Sequence, residues 1–297
     1  MERRGQGQQH QGGLSLPRRE IQIPAADGTP LPANLYTPAA VGAAVPMIVA
    51  VHGGGWQVRN LGYYDHWGPW LAERGYAVLA VTHSLTRPGF SAYPHTVLDV
   101  CAALRHVREH AQQFGIDPAR IALMGDSSGA HLASMAALAG MKPPFTPAVL
   151  RLGAEDQGAA VPNPVKAVIA LYGVFDLAQQ WRHDQLARPR DHITEKLLGV
   201  SLLDDRRPYF EASPLSHVSA RNTATSFLLA WGAVDDTVDS AAQSGAFGEA
   251  LRQAGHVVRT VTFAEAPHFW AGDPIDEAGS YPSLLAPHLL RFLKMRL

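Results

Sequence analysis

A chain of 297 residues, 46% hydrophobic and 17% charged, can bury one large core. Its net charge of -1, with no basic block beyond Arg3-Arg4 and Arg18-Arg19, excludes a nucleic acid or an anionic membrane as an expected partner. A single cysteine, Cys101, excludes an internal disulfide, and no apolar run is long enough to span a bilayer.

Residues 1–17 are rich in Gln and Gly and have no apolar centre. They read as a disordered tail rather than a secretory signal, so the expected location is cytoplasmic. Residues 18–297 read as one domain. Residues 46–51 form a short apolar run without alternation, the pattern of a fully buried strand. It ends in His52-Gly53-Gly54-Gly55-Trp56. Three successive glycines let the chain bend close to a ligand and expose backbone N–H donors. Such donors suit a developing oxyanion, because they are fixed before the charge appears. A flexible turn is the plainer alternative.

Residues 63–74 are expected to form a helix that stops at Gly75, followed by a strand over 76–81. Residues 93–114 read as one long amphipathic helix closed by Gly115. Cys101 falls on its apolar face and is expected to be a buried structural thiol.

A second apolar strand, 120–124, leads into Gly125-Asp126-Ser127-Ser128-Gly129, and a helix-like run follows over 130–138. A serine between glycines at a strand-to-helix junction is the sequence form of a nucleophile elbow. The turn is tight, so the flanking glycines remove side chains that would clash. The plainer alternative is a serine capping a helix.

Residues 141–164, rich in Pro, Gly and Ala, read as a loop insertion. A strand follows over 165–172. Residues 175–217 show little periodicity and read as a small lid or cap insertion. The strand at 225–231 runs into Gly232-Ala233-Val234-Asp235-Asp236-Thr237-Val238, and an alternating β-branched strand occupies 256–263. His268 stands in the loop beyond it, followed by Phe269 and Trp270. Residues 283–294 read as the closing helix. Strands separated by helices predict an α/β fold: a mostly parallel central sheet with helices on both faces. Reactive loops gather at the carboxyl ends of such strands.

The segments His52-Gly53-Gly54-Gly55-Trp56 and Gly125-Asp126-Ser127-Ser128-Gly129-Ala130-His131-Leu132-Ala133 resemble the α/β-hydrolase superfamily. The resemblance is to its esterase/lipase group, which includes hormone-sensitive-lipase-like carboxylesterases and arylformamidases, and it runs from about Pro46 to about Leu293. It implies a nucleophile at Ser127, an oxyanion hole from the amides of Gly53, Gly54 and Ser128, and the order serine, acid, histidine. The Gly-x-x-Asp-x-x-Val pattern assigns the acid to Asp235 over its neighbour Asp236, and the base falls to His268. No metal or organic cofactor is expected. One departure is Thr82-His83-Ser84, where many relatives carry Tyr-Arg-Leu.

Trp56, Tyr63, Trp181, Phe269 and Trp270 stand near the loops expected around the serine, so an apolar or aromatic ester is the expected substrate, with water as the second reactant. Arylformamidase activity on N-formylkynurenine with the same triad is the enzymatic alternative. A non-catalytic small-molecule-binding protein of the same fold is the alternative of another class. No motif encodes the oligomeric state, a homodimer included.

Overall fold

The structure is a computed structural model that describes residues 18–39, 42–140, 165–221 and 223–297. The expected N-terminal tail and the loop insertion at 141–164 lie outside the described residues.

Eight strands form one sheet in the order β1-β2-β4-β3-β5-β6-β7-β8. They are β1 (Arg19–Pro24), β2 (Pro30–Tyr36), β3 (Val45–Val51), β4 (Ala77–Val81), β5 (Ile116–Asp126), β6 (Ala167–Leu171), β7 (Ser226–Gly232) and β8 (Val258–Phe263). β1 and β2 pair antiparallel, β2 meets β4 antiparallel, and all other pairs are parallel. β3, β4 and β6 are apolar throughout and covered on both faces, as a parallel sheet requires.

Alternate residues of β3 enter two different cores. Met47, Val49 and Val51 pack with α2 (His95–Glu109), α4 (Ser128–Leu138) and α8 (Ala246–Gln253) through Val97, Leu132 and Phe247. Ile48 and Ala50 pack with α1 (Trp67–Ala72) and α9 (Tyr281–Arg296) through Trp67, Leu71, Leu285 and Leu289. Helices therefore cover both faces of the sheet.

Three departures from the sequence reading concern local geometry. The antiparallel pair β1–β2, joined by a turn with Gly28 at φ 85°, has no counterpart in that reading. The helix expected over 63–74 is instead a 3-10 turn, Leu61–Tyr64, followed by the short α1. Tyr63 and Tyr64 both bond toward the site, at Phe269 O and Asp126 Oδ1, and adjacent positions of a continuous α-helix do not share a face. The single helix expected over 93–114 is α2 and then α3 (Ala111–Phe114). They are separated at His110, whose φ of −109° and ψ of 22° leave the helical region, and Gly115 closes the second piece in the left-handed region.

Between β6 and β7 the chain makes a helical excursion. It contains α5 (Leu177–Ala187), α6 (Ile193–Leu198), α7 (Arg207–Glu211) and a 3-10 turn, Pro214–His217. Asp176 starts α5 by accepting the Gln179 amide at 3.0 Å.

Candidate active site

Ser127 occupies the turn from β5 into α4, with φ 51° and ψ −120°, and its amide donates to Leu171 O at 2.8 Å. The left-handed φ is strained for a residue with a Cβ. The glycines are required by close approach. A Cβ on Gly125 would overlap the backbone of Gly129, and one on Gly129 would overlap the carbonyl oxygen of Val51. The elbow is therefore pressed directly against the end of β3.

The loop after β7 brings Asp235 to the same point. Its Oδ1 accepts the amides of Thr237 and Val238, each at 2.9 Å, and its Oδ2 accepts from His268 Nδ1 at 2.6 Å. His268 Nε2 lies 2.9 Å from Ser127 Oγ. The side chains of His268 and Asp235 are 2% and 0% exposed, which keeps water from competing for these bonds. With Nδ1–H committed to Asp235, a neutral His268 presents Nε2 as an acceptor to the serine hydroxyl. Asp236 points elsewhere: its carbonyl accepts from His183 Nε2 at 2.9 Å and its carboxylate from Thr237 Oγ1 at 3.3 Å.

The imidazole of His268 is packed edge-on between two rings, Tyr172 at 4.6 Å and Phe269 at 4.4 Å. Two tyrosines fix its loop. Tyr63 OH donates to Phe269 O at 2.6 Å, and Tyr172 OH accepts the Ala271 amide at 3.2 Å.

The glycine loop departs from expectation at its first member. The Gly53 amide donates to Asp126 Oδ1 at 3.0 Å, so it is not available to an oxyanion. Tyr64 OH donates to the same oxygen at 3.0 Å. Burial pushes the Asp126 carboxyl up to about 7, against these two hydrogen bonds. Gly54 and Gly55, with φ of 112° and 58°, follow with amides that no hydrogen bond engages among the described residues. The Ser128 amide heads α4, where first-turn N–H groups have no helical partner. His52 lies behind the loop, its Nδ1 2.6 Å from Gly53 O and its ring stacked on His83 at 4.6 Å. Burial pushes the His52 pKa down to about 3, so it is a neutral prop. His83, the departure noted in the sequence, supplies that stacking partner and is itself held by Thr96 Oγ1 at 2.9 Å.

A cavity of about 470 Å³ opens over Ser127. Trp56, Tyr63 and Phe269 line it, together with Val174, Ile193 and Val238. Trp181 does not line it: its indole donates to Glu195 at 2.7 Å and ties α5 to α6. Trp270 does not line it either. It is buried in the second core against Phe263 and Tyr172, at 5.4 and 5.1 Å. Among the described residues, no group of three or more His, Cys, Asp or Glu is placed to hold a metal.

An eight-stranded, mostly parallel sheet that delivers a serine elbow, an aspartate and a histidine to one point from the loops after β5, β7 and β8 defines an α/β-hydrolase of the esterase/lipase group. The fold is shared with esterase 2 of Thermogutta terrifontis, phosphoramylated by tabun in that structure, at a TM-score of 0.71 and 23% identity over 94% of each chain. Residues 33–251 match the BD-FAE family model, and the chain belongs to that family. It is 32% identical to the esterase LipQ of Mycobacterium tuberculosis over 77% of this chain and 50% of that one. It is 30% identical to the probable carboxylic ester hydrolase LipM of the same organism, over 75% and 48%. The chain thus spans about half the length of these curated relatives. No helix among the described residues is long and apolar enough to cross a membrane.

Proposed function

We propose that the chain is a serine carboxylic-ester hydrolase that works through an acyl-serine intermediate on small, apolar or aromatic esters. The observation that carries this reading is the continuous relay of 2.6 and 2.9 Å from Asp235 through His268 to Ser127. A serine hydroxyl is a weak nucleophile near neutral pH, so a base must take its proton during attack. His268 Nε2 takes it as Oγ bonds to the ester carbonyl carbon. Asp235 holds the tautomer and stabilises the imidazolium.

The carbonyl oxygen becomes an oxyanion. With the Gly53 amide occupied, its donors are the amides of Gly54, Gly55 and Ser128. His268 then protonates the alkoxide leaving group, water enters, and the same imidazole assists hydrolysis of the acyl-serine. The apolar walls of the cavity suit a compact acyl or alcohol group. The excursion over 175–217 serves as a lid, since Gln180, Arg188 and Ile193 from it reach the cavity wall. The names of the relatives, esterase and carboxylic ester hydrolase, support the same reaction class. A cytoplasmic location fits the single cysteine, Cys101, which is buried and unpaired.

The test is hydrolysis of short-chain p-nitrophenyl esters with labelling by a fluorophosphonate. Turnover and a label on Ser127 are expected. A folded protein that does neither would sink the proposal. A preference for N-formylkynurenine by orders of magnitude in kcat/KM would reassign it as a formamidase.

A further inference from the structure

A polar network from the excursion after β6 joins the lining of the Ser127 cavity, beside the apolar Trp56, Val174, Ile193, Val238 and Phe269. Helix α5 and the residue that ends it place Gln180, Asp184 and Arg188 four residues apart, in one row. Gln180 Nε2 donates to Asp184 Oδ1 at 2.9 Å and to Thr237 O at 3.0 Å. Arg188 Nη2 donates to the same two acceptors, at 2.5 and 2.9 Å. The two shared acceptors fix which end of the Gln180 amide is nitrogen. Gln180 and Asp184 are each only 2% exposed, and Gln180, Arg188 and Thr237 all line the cavity.

This network leaves capacity unused. Gln180 Oε1, Asp184 Oδ2 and Arg188 Nε are buried with no hydrogen-bond partner, and no hydrogen bond among the described residues engages Arg188 Nη1. Buried polar groups without partners are costly, and a cluster of them beside a reactive serine points to a ligand that completes it. The charge at the wall is already compensated. Asp184 pairs with Arg188, and Asp191 Oδ2 stands 4.0 Å from Arg188 Nε. An incoming carboxylate would therefore meet little net attraction, together with repulsion from Gln180 Oε1. A hydroxyl suits two residues of the network that line the cavity, donating to Gln180 Oε1 and accepting from the Arg188 guanidinium.

We propose that Gln180 and Arg188 anchor a neutral hydroxyl group carried by the ester substrate in the cavity that opens over Ser127. This rests on the serine-esterase reading above and narrows its substrate class to hydroxylated esters whose remainder is apolar. The hydroxyl belongs to the acyl half or to the alcohol half, and experiment separates the two.

The full chain is assayed in two arms. In the first, p-nitrophenyl esters of ω-hydroxyalkanoic acids are compared with esters of acids bearing methyl in place of hydroxyl, and with the ω-carboxy counterparts. In the second, monoacetates of α,ω-diols are compared with the corresponding n-alkyl acetates. In one arm the hydroxylated ester is favoured by about tenfold or more in kcat/KM over every comparator of that arm. Gln180→Leu reduces that ratio severalfold. The double variant Asp184→Leu/Arg188→Met brings it to about one, and it removes the ion pair as a unit so that no buried charge is stranded. A ratio near one in both arms, a preference for the carboxylate, or a full ratio retained in either folded variant overturns the anchor. In those cases continued ester turnover leaves the serine mechanism standing. Absence of all ester turnover and of fluorophosphonate labelling overturns the mechanism and the anchor together.

Discussion

Gly53 and Asp126, 73 residues apart in the chain, are joined by an amide–carboxylate hydrogen bond of 3.0 Å that locks the glycine loop to the serine elbow. The residue before the serine thereby sets which glycine amides face the cavity. Asp126→Ala removes the lock and is expected to lower kcat by about 10²-fold through misplacement of the oxyanion donors. Asp126→Asn, which keeps an acceptor oxygen for Gly53 and Tyr64, stays within a few-fold of the parent. Steady-state kinetics on a p-nitrophenyl ester reads both, and equal losses in the two variants would contradict the account.

The two adjacent aspartates of the acid loop are expected to behave very differently. Asp235 holds His268 at 2.6 Å, whereas Asp236 is exposed and faces Thr237. Asp235→Asn should cost about 10⁴-fold in kcat, and Asp236→Asn only a few-fold. Reversed sensitivities would move the acid by one position.

Gly129 tests the packing of the elbow. A Cβ there meets the carbonyl oxygen of Val51, a backbone atom that cannot swing aside. Gly129→Ala is expected to cost about 3 kcal/mol or more in unfolding free energy, measured by urea denaturation. A variant as stable as the parent would mean that β3 and α4 are less closely apposed.

His131 predicts a pH dependence of stability. Its Nδ1 accepts the Trp56 indole N–H at 3.1 Å and its Nε2 donates to Ala212 O at 2.7 Å, so the neutral ring is fully used. Burial pushes its pKa down to about 4, from an ordinary 6.5. Between those values the folded state binds fewer protons than the unfolded chain, so this contribution is full above pH 6.5 and is lost as pH falls toward 4. Asp126, raised by burial, acts in the opposite sense, so a comparison with His131→Gln isolates the effect. The stability advantage of the parent over that variant should shrink by about 1.4 kcal/mol per pH unit across the window. Denaturant unfolding at a series of pH values checks it, and a constant difference would refute it.

The convergence of Ser127, Asp235 and His268 was legible because each sits in a short motif directly after a strand. The sequence pattern after β3, β5, β7 and β8 led to the glycine loop, Ser127, Asp235 and His268 in turn. What escaped notice has no local signature. The β1–β2 pair lies at the sheet edge, half exposed, with Pro24, Pro30 and Pro32 masking its alternation. Tyr64 and Tyr172 reach the site through contacts across 62 and 99 residues. The identity of the occupied amide, Gly53, follows from where Asp126 points, which three identical glycines cannot reveal. Trp181 and Trp270 look in sequence like pocket residues, yet they serve the α5–α6 contact and the second core, because an aromatic near a reactive loop is equally useful as packing.

Under the proposed mechanism, the backbone of Ser127, held at φ 51°, sets thermal robustness against turnover at a single residue. A glycine there would relax a conformation that costs on the order of 1–3 kcal/mol and, if that gain outweighs its looser unfolded chain, would yield a hardier but inert molecule. Engineering for heat tolerance alone would thus tend to erase the hydroxyl that the proposed chemistry needs.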